Sequence, residues 1–263
     1  VIYGATFEKE RQKKVTTSTL SVKLPFTLGY DVPDSELVRH TYTDWGLLQV
    51  GKAYVSPPEV QELFVDVPGL DGSLDLTQAL DGLVHYKSRQ FVSTYKCIAS
   101  REEWPKIYTE IMNWLHGQKV KVTLDDDRES YYEGRFTVES PTFNKHFWTF
   151  QISGTVDAYK YKHNSSLGDW DWDPFVFDAD IARDYSKIEV SGTNTVIVIG
   201  YAMPTTPTFV CSDTMTLTVD GINKYELPKG ESIIPGLTVQ EREYIFKFDG
   251  YGTVSVDFKG GEL

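Results

Sequence analysis

The sequence predicts a mainly β protein built as two halves, with one α-helix in the first half, and three observations carry that reading. Aromatic residues make up 14% of the 263 residues, and β-branched residues gather in short alternating runs bounded by Gly, Pro, Asn and Asp. A single clear segment, residues 104–115, repeats its apolar residues at helical spacing. Beyond Tyr185, short strand-like runs recur at regular intervals with turn residues between them, the pattern of an antiparallel β-sandwich or jelly roll.

The opening thirty residues hold Lys9, Arg11, Lys13, Lys14 and Lys23 against Glu8 and Glu10. They are therefore +3 in a chain of net charge −12, which leaves −15 for the remainder. With the β-branched run after Lys14, this segment reads as an extended basic arm or edge strand. Its plain role is a solvated surface strand; its functional role is to dock on the acidic body of a neighbouring copy.

The helix is announced by Ser100-Arg101-Glu102-Glu103, which has the Ser-x-x-Glu form of a capping box, and by Pro105 in the first turn. Trp104, Ile107, Ile111, Trp114 and Leu115 form its apolar stripe, and Gly117 supplies a left-handed stop. That stripe needs a sheet or barrel to lie against. Residues 119–124 (KVKVTL) then alternate strictly, Asp125-Asp126-Asp127-Arg128 turns, and residues 131–138 return as the partner strand. Residues 147–156 add a strand with Gly154 in a bulge-like position.

Residues 159–185 are polar and read as a crossing between domains. Strands are expected after it at 187–190, 195–201, 207–211, 215–219, 224–227, 244–248 and 253–258. Asp220-Gly221 is a hairpin signal, because this pair tolerates positive φ at both central positions.

Several function classes are disfavoured. A chain of net charge −12 repels the nucleic-acid backbone, so no specific nucleic-acid binding is expected. Cys97 and Cys211 stand 114 positions apart, which suits two free buried thiols better than a disulfide framework or zinc site. No apolar run is long enough to span a membrane. A soluble protein made in a reducing cytoplasm is expected, with no membrane partner. No GxSxG, HExxH, Walker loop or GxGxxG is present, and the five histidines lie singly. No catalytic residue, cofactor or metal is therefore assigned.

Two acidic constellations stand out. Asp125-Asp126-Asp127 reads as a solvated turn rather than a calcium loop. In Asp169-Trp170-Asp171-Trp172-Asp173, an extended chain would put the acids on one face and both tryptophans on the other. Its plain reading packs the tryptophans as core. Its sharper reading is the alternative function, a carbohydrate-binding module or accessory glycosidase using Trp170, Trp172 and the neighbouring acids.

An ordered set of local motifs then resembles a known family. Thr43-Asp44-Trp45-Gly46-Leu47 is followed by Val65-Asp66-Val67-Pro68-Gly69-Leu70-Asp71-Gly72-Ser73-Leu74-Asp75-Leu76-Thr77 and Tyr86-Lys87-Ser88-Arg89. Next come Trp114-Leu115-His116-Gly117, Tyr131-Tyr132-Glu133-Gly134-Arg135 and Asp157-Ala158-Tyr159-Lys160-Tyr161, then Gly250-Tyr251-Gly252 and a closing Gly260-Gly261-Glu262-Leu263. In this order, over about residues 35–263, the chain resembles the distal tail (Dit) proteins of long non-contractile-tailed bacteriophages. The residues that carry the resemblance are taken as its assembly motif: Trp45, Gly46, Pro68, Gly69, Asp71, Gly72, Asp75, Arg89, His116, Gly117, Gly134, Arg135, Tyr159 and Lys160. On physical grounds Pro68 and Gly69 end a strand. Asp71 and Asp75 can tie local N–H groups, and Arg89 and Arg135 can pair with carboxylates.

The resemblance implies a structural virion protein, a hexameric ring joining the tail tube to the tail-tip or baseplate apparatus for host adhesion. Its partners would be five further copies of itself, the tail tube protein, a tail-tip protein and receptor-binding proteins. DNA would pass through its lumen, and an acidic lumen would not hold it. The place implied is the phage tail tip, with assembly in the host cytoplasm. Three divisions are expected: an N-terminal extension over 1–34, a ring-forming β-sandwich or barrel-like domain with one helix over 35–159, and a galectin-like antiparallel β-sandwich over 160–263. The extension departs from the family pattern, as does Ala158, where family members commonly carry proline.

Overall fold

The computed structural model describes residues 4–9, 38–143, 146–163 and 184–263. Most of the expected basic arm and the whole Asp169-to-Asp173 motif lie outside the described residues. The fold is mainly β, of curled antiparallel sheets with one helix among the described residues, as expected.

In chain order the strands are β1 (Ala5–Lys9), β2 (Val38–His40), β3 (Leu47–Gln49), β4 (Tyr54–Val55), β5 (Phe64–Asp66), β6 (Ser73–Asp75) and β7 (Arg89–Cys97). Helix α1 (Trp104–Leu115) follows, then β8 (Lys119–Leu124), β9 (Asp127–Val138), β10 (Thr142–Phe143), β11 (Trp148–Val156) and β12 (Lys160–Lys162). The last strands are β13 (Ile188–Ile199), β14 (Thr208–Cys211), β15 (Met215–Val219), β16 (Asn223–Leu227), β17 (Gly230–Ile233), β18 (Glu243–Asp257) and β19 (Gly261–Glu262). The described residues divide into two compact units that are discontinuous in sequence. One draws on residues up to Ser56, Ser88–Asp127 and Tyr132–Val156; the other draws on Pro57–Lys87, Arg128–Tyr131 and residues from Asp157 onward.

The first unit is an antiparallel sheet in the order β2-β1-β8-β9-β11-β7-β3, with β4 also on β7 and β10 on β11. Strand alternation sends Phe91, Tyr95 and Cys97 inward from β7, and Trp148, Phe150 and Ile152 inward from β11. Helix α1 adds Trp104, Ile111 and Leu115 to the same core. Phe136 sits edge-on to both Phe7 and Phe91, with ring centroids 5.4 and 5.3 Å away.

Several local expectations change here. Ala5–Lys9 is an interior strand between β2 and β8, with Ala5 and Phe7 fully buried, and not part of a surface arm. The Ser-x-x-Glu box lies one turn before the helix. The Glu103 carboxylate accepts from the Ser100 N–H and Oγ–H, but Glu103 itself is the N-cap residue and its side chain makes no cap bond. Gly154 is no bulge: it pairs in register with Phe91 and Phe136. A Cβ there would come 2.7 Å from the Phe136 ring, so the glycine is a notch for that ring.

The second unit's sheet runs β16-β15-β18-β14-β17, with β13 along β18. The sequence splits each of its two long strands, yet β13 and β18 pair continuously from Ile188↔Val254 to Ile199↔Glu243. Gly250 and Gly252 mark the point where the other neighbour of β18 changes from β15 to β14. The hairpin at Asp220-Gly221 forms as expected, with φ of 51° and 71°. Cys97 and Cys211 are both buried and unbonded, and burial pushes the Cys211 thiol up from its ordinary value.

Phe7→Ala removes a fully buried ring from this aromatic stack and should destabilise the chain by about 3–5 kcal/mol. Urea unfolding measures it, and a midpoint equal to the wild type's would show that β1 is not part of the core.

Candidate functional site

Trp45 is the knob of the first unit. Buried at the end of the turn after β2, it meets Trp114 of α1 edge-on at 5.6 Å, and its Nε1–H donates to Glu110 at 3.3 Å. Gly46 follows with φ of 61°, and its carbonyl accepts from Ile98 N–H. The adjoining Asp44 carboxylate accepts from His40 N–H at 2.6 Å.

Three motif residues knit the end of α1 to β9, and a fourth spaces β9 from β11. Gly117, at φ of 75°, reverses the chain, and its N–H donates to the Phe136 carbonyl at 2.7 Å. His116 Nδ1 accepts from Val138 N–H at 3.1 Å, which requires that nitrogen to be unprotonated. Arg135 donates from Nη1 to the Gly117 carbonyl. Gly134 lies where a Cβ would sit 2.3 Å from the Thr155 carbonyl oxygen, so only hydrogen fits between β9 and β11.

Arg89 serves the neck of a long excursion. Ser56 and Ser88 flank residues 57–87, and Arg89 Nε donates to the Ser56 carbonyl at 2.6 Å. Gln90 N–H donates to Ser56 Oγ, and Ser56 N–H to the Gln90 carbonyl, both at 2.9 Å. The guanidinium also lies 5.5 Å from the Tyr132 ring centre. Both arginines were expected to hold carboxylates; both hold backbone carbonyls instead. Such carbonyls carry no residue identity, so the sequence has no signal for them.

The excursion is a hairpin with one turn at its tip. Pro68 and Gly69 occupy the central positions, Gly69 at φ of 89°, and Leu70 N–H closes onto the Val67 carbonyl at 3.1 Å. This is the turn that proline first and glycine second favour. Ser73 Oγ donates to Asp66 at 2.6 Å across the strands. Asp75 accepts from Thr77 N–H at 2.9 Å, and its bonds to Thr77 hold its carboxyl below the ordinary range. Asp71 and Gly72 are exposed in the same tip.

Every residue of β5 and β6 is exposed, and many are apolar. Val65 and Leu74 are cross-strand partners at 40% and 44% exposure, and Phe64, on the opposite face, is 53% exposed. Leu63, Val67, Leu70 and Leu80 extend the series. The residues are legible in the sequence; their exposure is not, since apolar strands ordinarily read as core.

Tyr159 and Lys160 belong to a seam in the second unit. Tyr159 meets Tyr86 edge-on at 5.9 Å, and burial pushes its hydroxyl above the ordinary value. Strand β12 pairs with β19, Lys160 opposite Glu262 and Tyr161 opposite Gly261, so the Gly260-Gly261-Glu262 run closes onto it. Gly260 leaves room for the Tyr201 ring, which a Cβ would meet at 2.3 Å.

The acidic turn is dispersed: Asp125 faces His40 Nε2 at 3.2 Å and Asp126 faces Lys52 at 3.1 Å. Among the described residues no group of three or more His, Cys, Asp or Glu is placed to hold a metal ion, and no helix is long and apolar enough to cross a membrane. The motif residues thus fall into four groups that shape the backbone and one exposed hairpin.

No protein-family model and no curated protein matches the chain. Among solved structures it is similar to the crystal structure of the Dit (gp 19.1) protein of phage SPP1, described there as a paradigm of the hub adsorption apparatus in phages infecting Gram-positive bacteria. The TM-score is 0.53 at 13% identity, over 81% of this chain and 93% of that one. The likeness is one of fold.

Arg89→Ala removes the charged donor at the neck and should destabilise the chain by about 1.5–3 kcal/mol, the range for a hydrogen bond from a charged group. Limited proteolysis should then cut faster within residues 57–87. An unchanged cleavage rate there would mean the neck does not depend on Arg89.

Proposed function

We propose that this chain is a structural protein of a bacteriophage tail, a hub that assembles with copies of itself into a ring. The observation that carries this is the β5–β6 hairpin. A two-stranded hairpin is marginal in water by itself, and this one leaves Phe64, Val65 and Leu74 in solvent. Val65 and Leu74 form an exposed apolar pair on one face and Phe64 stands on the other, surfaces on which a partner can pack. The fold shared with SPP1 Dit supplies the context, and the ordered motifs supply the specific reading.

On that reading six copies close head to tail, each contact joining two different patches of the chain. A persistent contact needs on the order of 1,000 Å² or more of buried surface, to which the hairpin contributes an apolar core. Residues 35–159 build the ring, and residues 160–263 form a galectin-like domain on it. The ring joins the tail tube to the tail-tip and receptor-binding components at the distal end of the virion, after assembly in the host cytoplasm. No catalytic residue, cofactor or metal is assigned to it. With −12 per copy, part of that charge lines the lumen and lets DNA pass without adhering.

Phe64→Asp combined with Leu74→Asp tests the hairpin. Both side chains are exposed in the single chain, so thermal melting of the monomer should change by less than about 0.5 kcal/mol. Sedimentation velocity should show the wild type associating with rising concentration and the double variant remaining monomeric. Equal association of the two proteins would overturn the proposal.

A further inference from the structure

Among the described residues β13 pairs along one side only, with β18, so its other edge offers backbone groups to a partner. Which groups these are follows from the ladder. Gly200 N–H donates to the Arg242 carbonyl across the pair, whereas Ile199 N–H donates away from it, to the Tyr185 hydroxyl at 3.0 Å. Alternation then turns the N–H and C=O of Thr193, Thr195 and Ile197 outward as well. Tyr185 caps this edge at Ile199, and the Asn194 side chain caps it at the other end by donating to the Glu189 carbonyl at 2.7 Å. Between the caps the usual guards of an edge are missing, since residues 190–198 hold no charge and no proline. The β5–β6 hairpin has a matching edge. Leu76 N–H donates to the Leu63 carbonyl and Leu70 N–H to the Val67 carbonyl. Odd-numbered residues of β5 therefore face β6, and Phe64 and Asp66 turn their backbone groups outward.

We propose that β5 of one copy adds antiparallel to the open edge of β13 in the next, with Phe64 opposite Ile197 and Asp66 opposite Thr195, an inference that rests on the self-assembly reading above. Outward groups bond only to outward groups, and this fixes the faces. Phe64 and Asp66 join the exposed face that carries Thr195 and Ile197. Val65, with Leu74 beside it, joins the inner face next to Val196, which packs on the second unit's core. The hairpin's own pattern agrees with that forced arrangement: Leu63, Val65 and Leu74 form one face, and Phe64, Asp66, Ser73 and Asp75 the other. In this register Phe64 extends the exposed cross-strand pair Ile197–Ile245 into a row of three apolar side chains. Asp66 meets Thr195, whose other neighbour is Lys247 and not an acid. Pairing through β6 would instead set Ser73 or Asp75 beside Ile197, so β5 is the strand assigned. The hairpin thereby gains the further strands that a two-stranded ribbon needs for stability in water. The contact joins two different patches of the chain, as a closed ring requires.

Two full chains carrying single substitutions test the register. A chain with Phe64→Cys is mixed with one carrying Ile197→Cys under mild oxidation. Directly opposed residues of a hydrogen-bonded antiparallel pair lie about 5.5 Å apart at Cα, inside the range that a disulfide spans. Cys97 and Cys211 are buried and should not compete. A mixed disulfide should form, and should not form when Tyr251→Cys, at an exposed position of the same unit, replaces Ile197→Cys. Thr195→Pro gives an independent reading. The Thr195 N–H is turned away from β18, so proline there should leave the circular dichroism and melting of the single chain nearly unchanged. Association followed by sedimentation velocity should weaken by about tenfold or more, through the lost donor and the Asp66 carbonyl left without it. No mixed disulfide, equal linking at Tyr251, or association of the Thr195→Pro chain equal to the wild type's would each overturn the proposal. If one of these results is found while the wild type associates through its hairpin, this inference falls alone. If the wild type never associates, the self-assembly reading falls and this inference with it.

Discussion

A two-stranded hairpin has two faces and no third strand or second layer to bury either one. Residues 57–87 build such a hairpin, and its strands carry Phe64, Val65 and Leu74 into water. Apolar surface is worth roughly 25 cal/mol per Å² when removed from water, so each of these side chains represents favourable free energy that the single chain does not collect. Local bonds fix the shape of that hairpin. The turn at Pro68-Gly69 and the Ser73–Asp66 bond set its register. The bonds among Ser56, Arg89 and Gln90 hold its two ends together where it leaves the first unit's sheet.

The remaining motif residues serve rigidity. Trp45 against Trp114 locks the turn before β3 onto α1, while His116, Gly117 and Arg135 fasten the far end of that helix to β9. Gly134 lets β9 and β11 approach closely, and Gly154 leaves room for the Phe136 ring. Such devices shape a scaffold. Among the described residues no group of three or more His, Cys, Asp or Glu is placed to hold a metal ion.

What could be read from the sequence was what local pattern encodes. Helix α1, the β8–β9 hairpin and the turn at Asp220-Gly221 each depend on residues within a few positions of one another, and each forms, although β9 starts at Asp127, inside the expected turn. Features set by distant partners were not legible. Strand β18 continues through Gly250 and Gly252 because β13 runs alongside it while its other neighbour changes. Strand β1 shows just two inward residues, Ala5 and Phe7, before a run of charge, so its place inside a sheet had no periodicity to reveal it. Arg89 and Arg135 found carbonyl acceptors that any residue could have supplied.

Hydrogen–deuterium exchange as a function of protein concentration tests the hairpin's role most directly. If copies of the chain cover it, the amides of residues 63–76 should exchange quickly in dilute solution and become protected as concentration rises, while the β7 and β11 amides stay protected throughout. Exchange at the hairpin that remains fast at every concentration, including those at which the protein associates, would contradict the account.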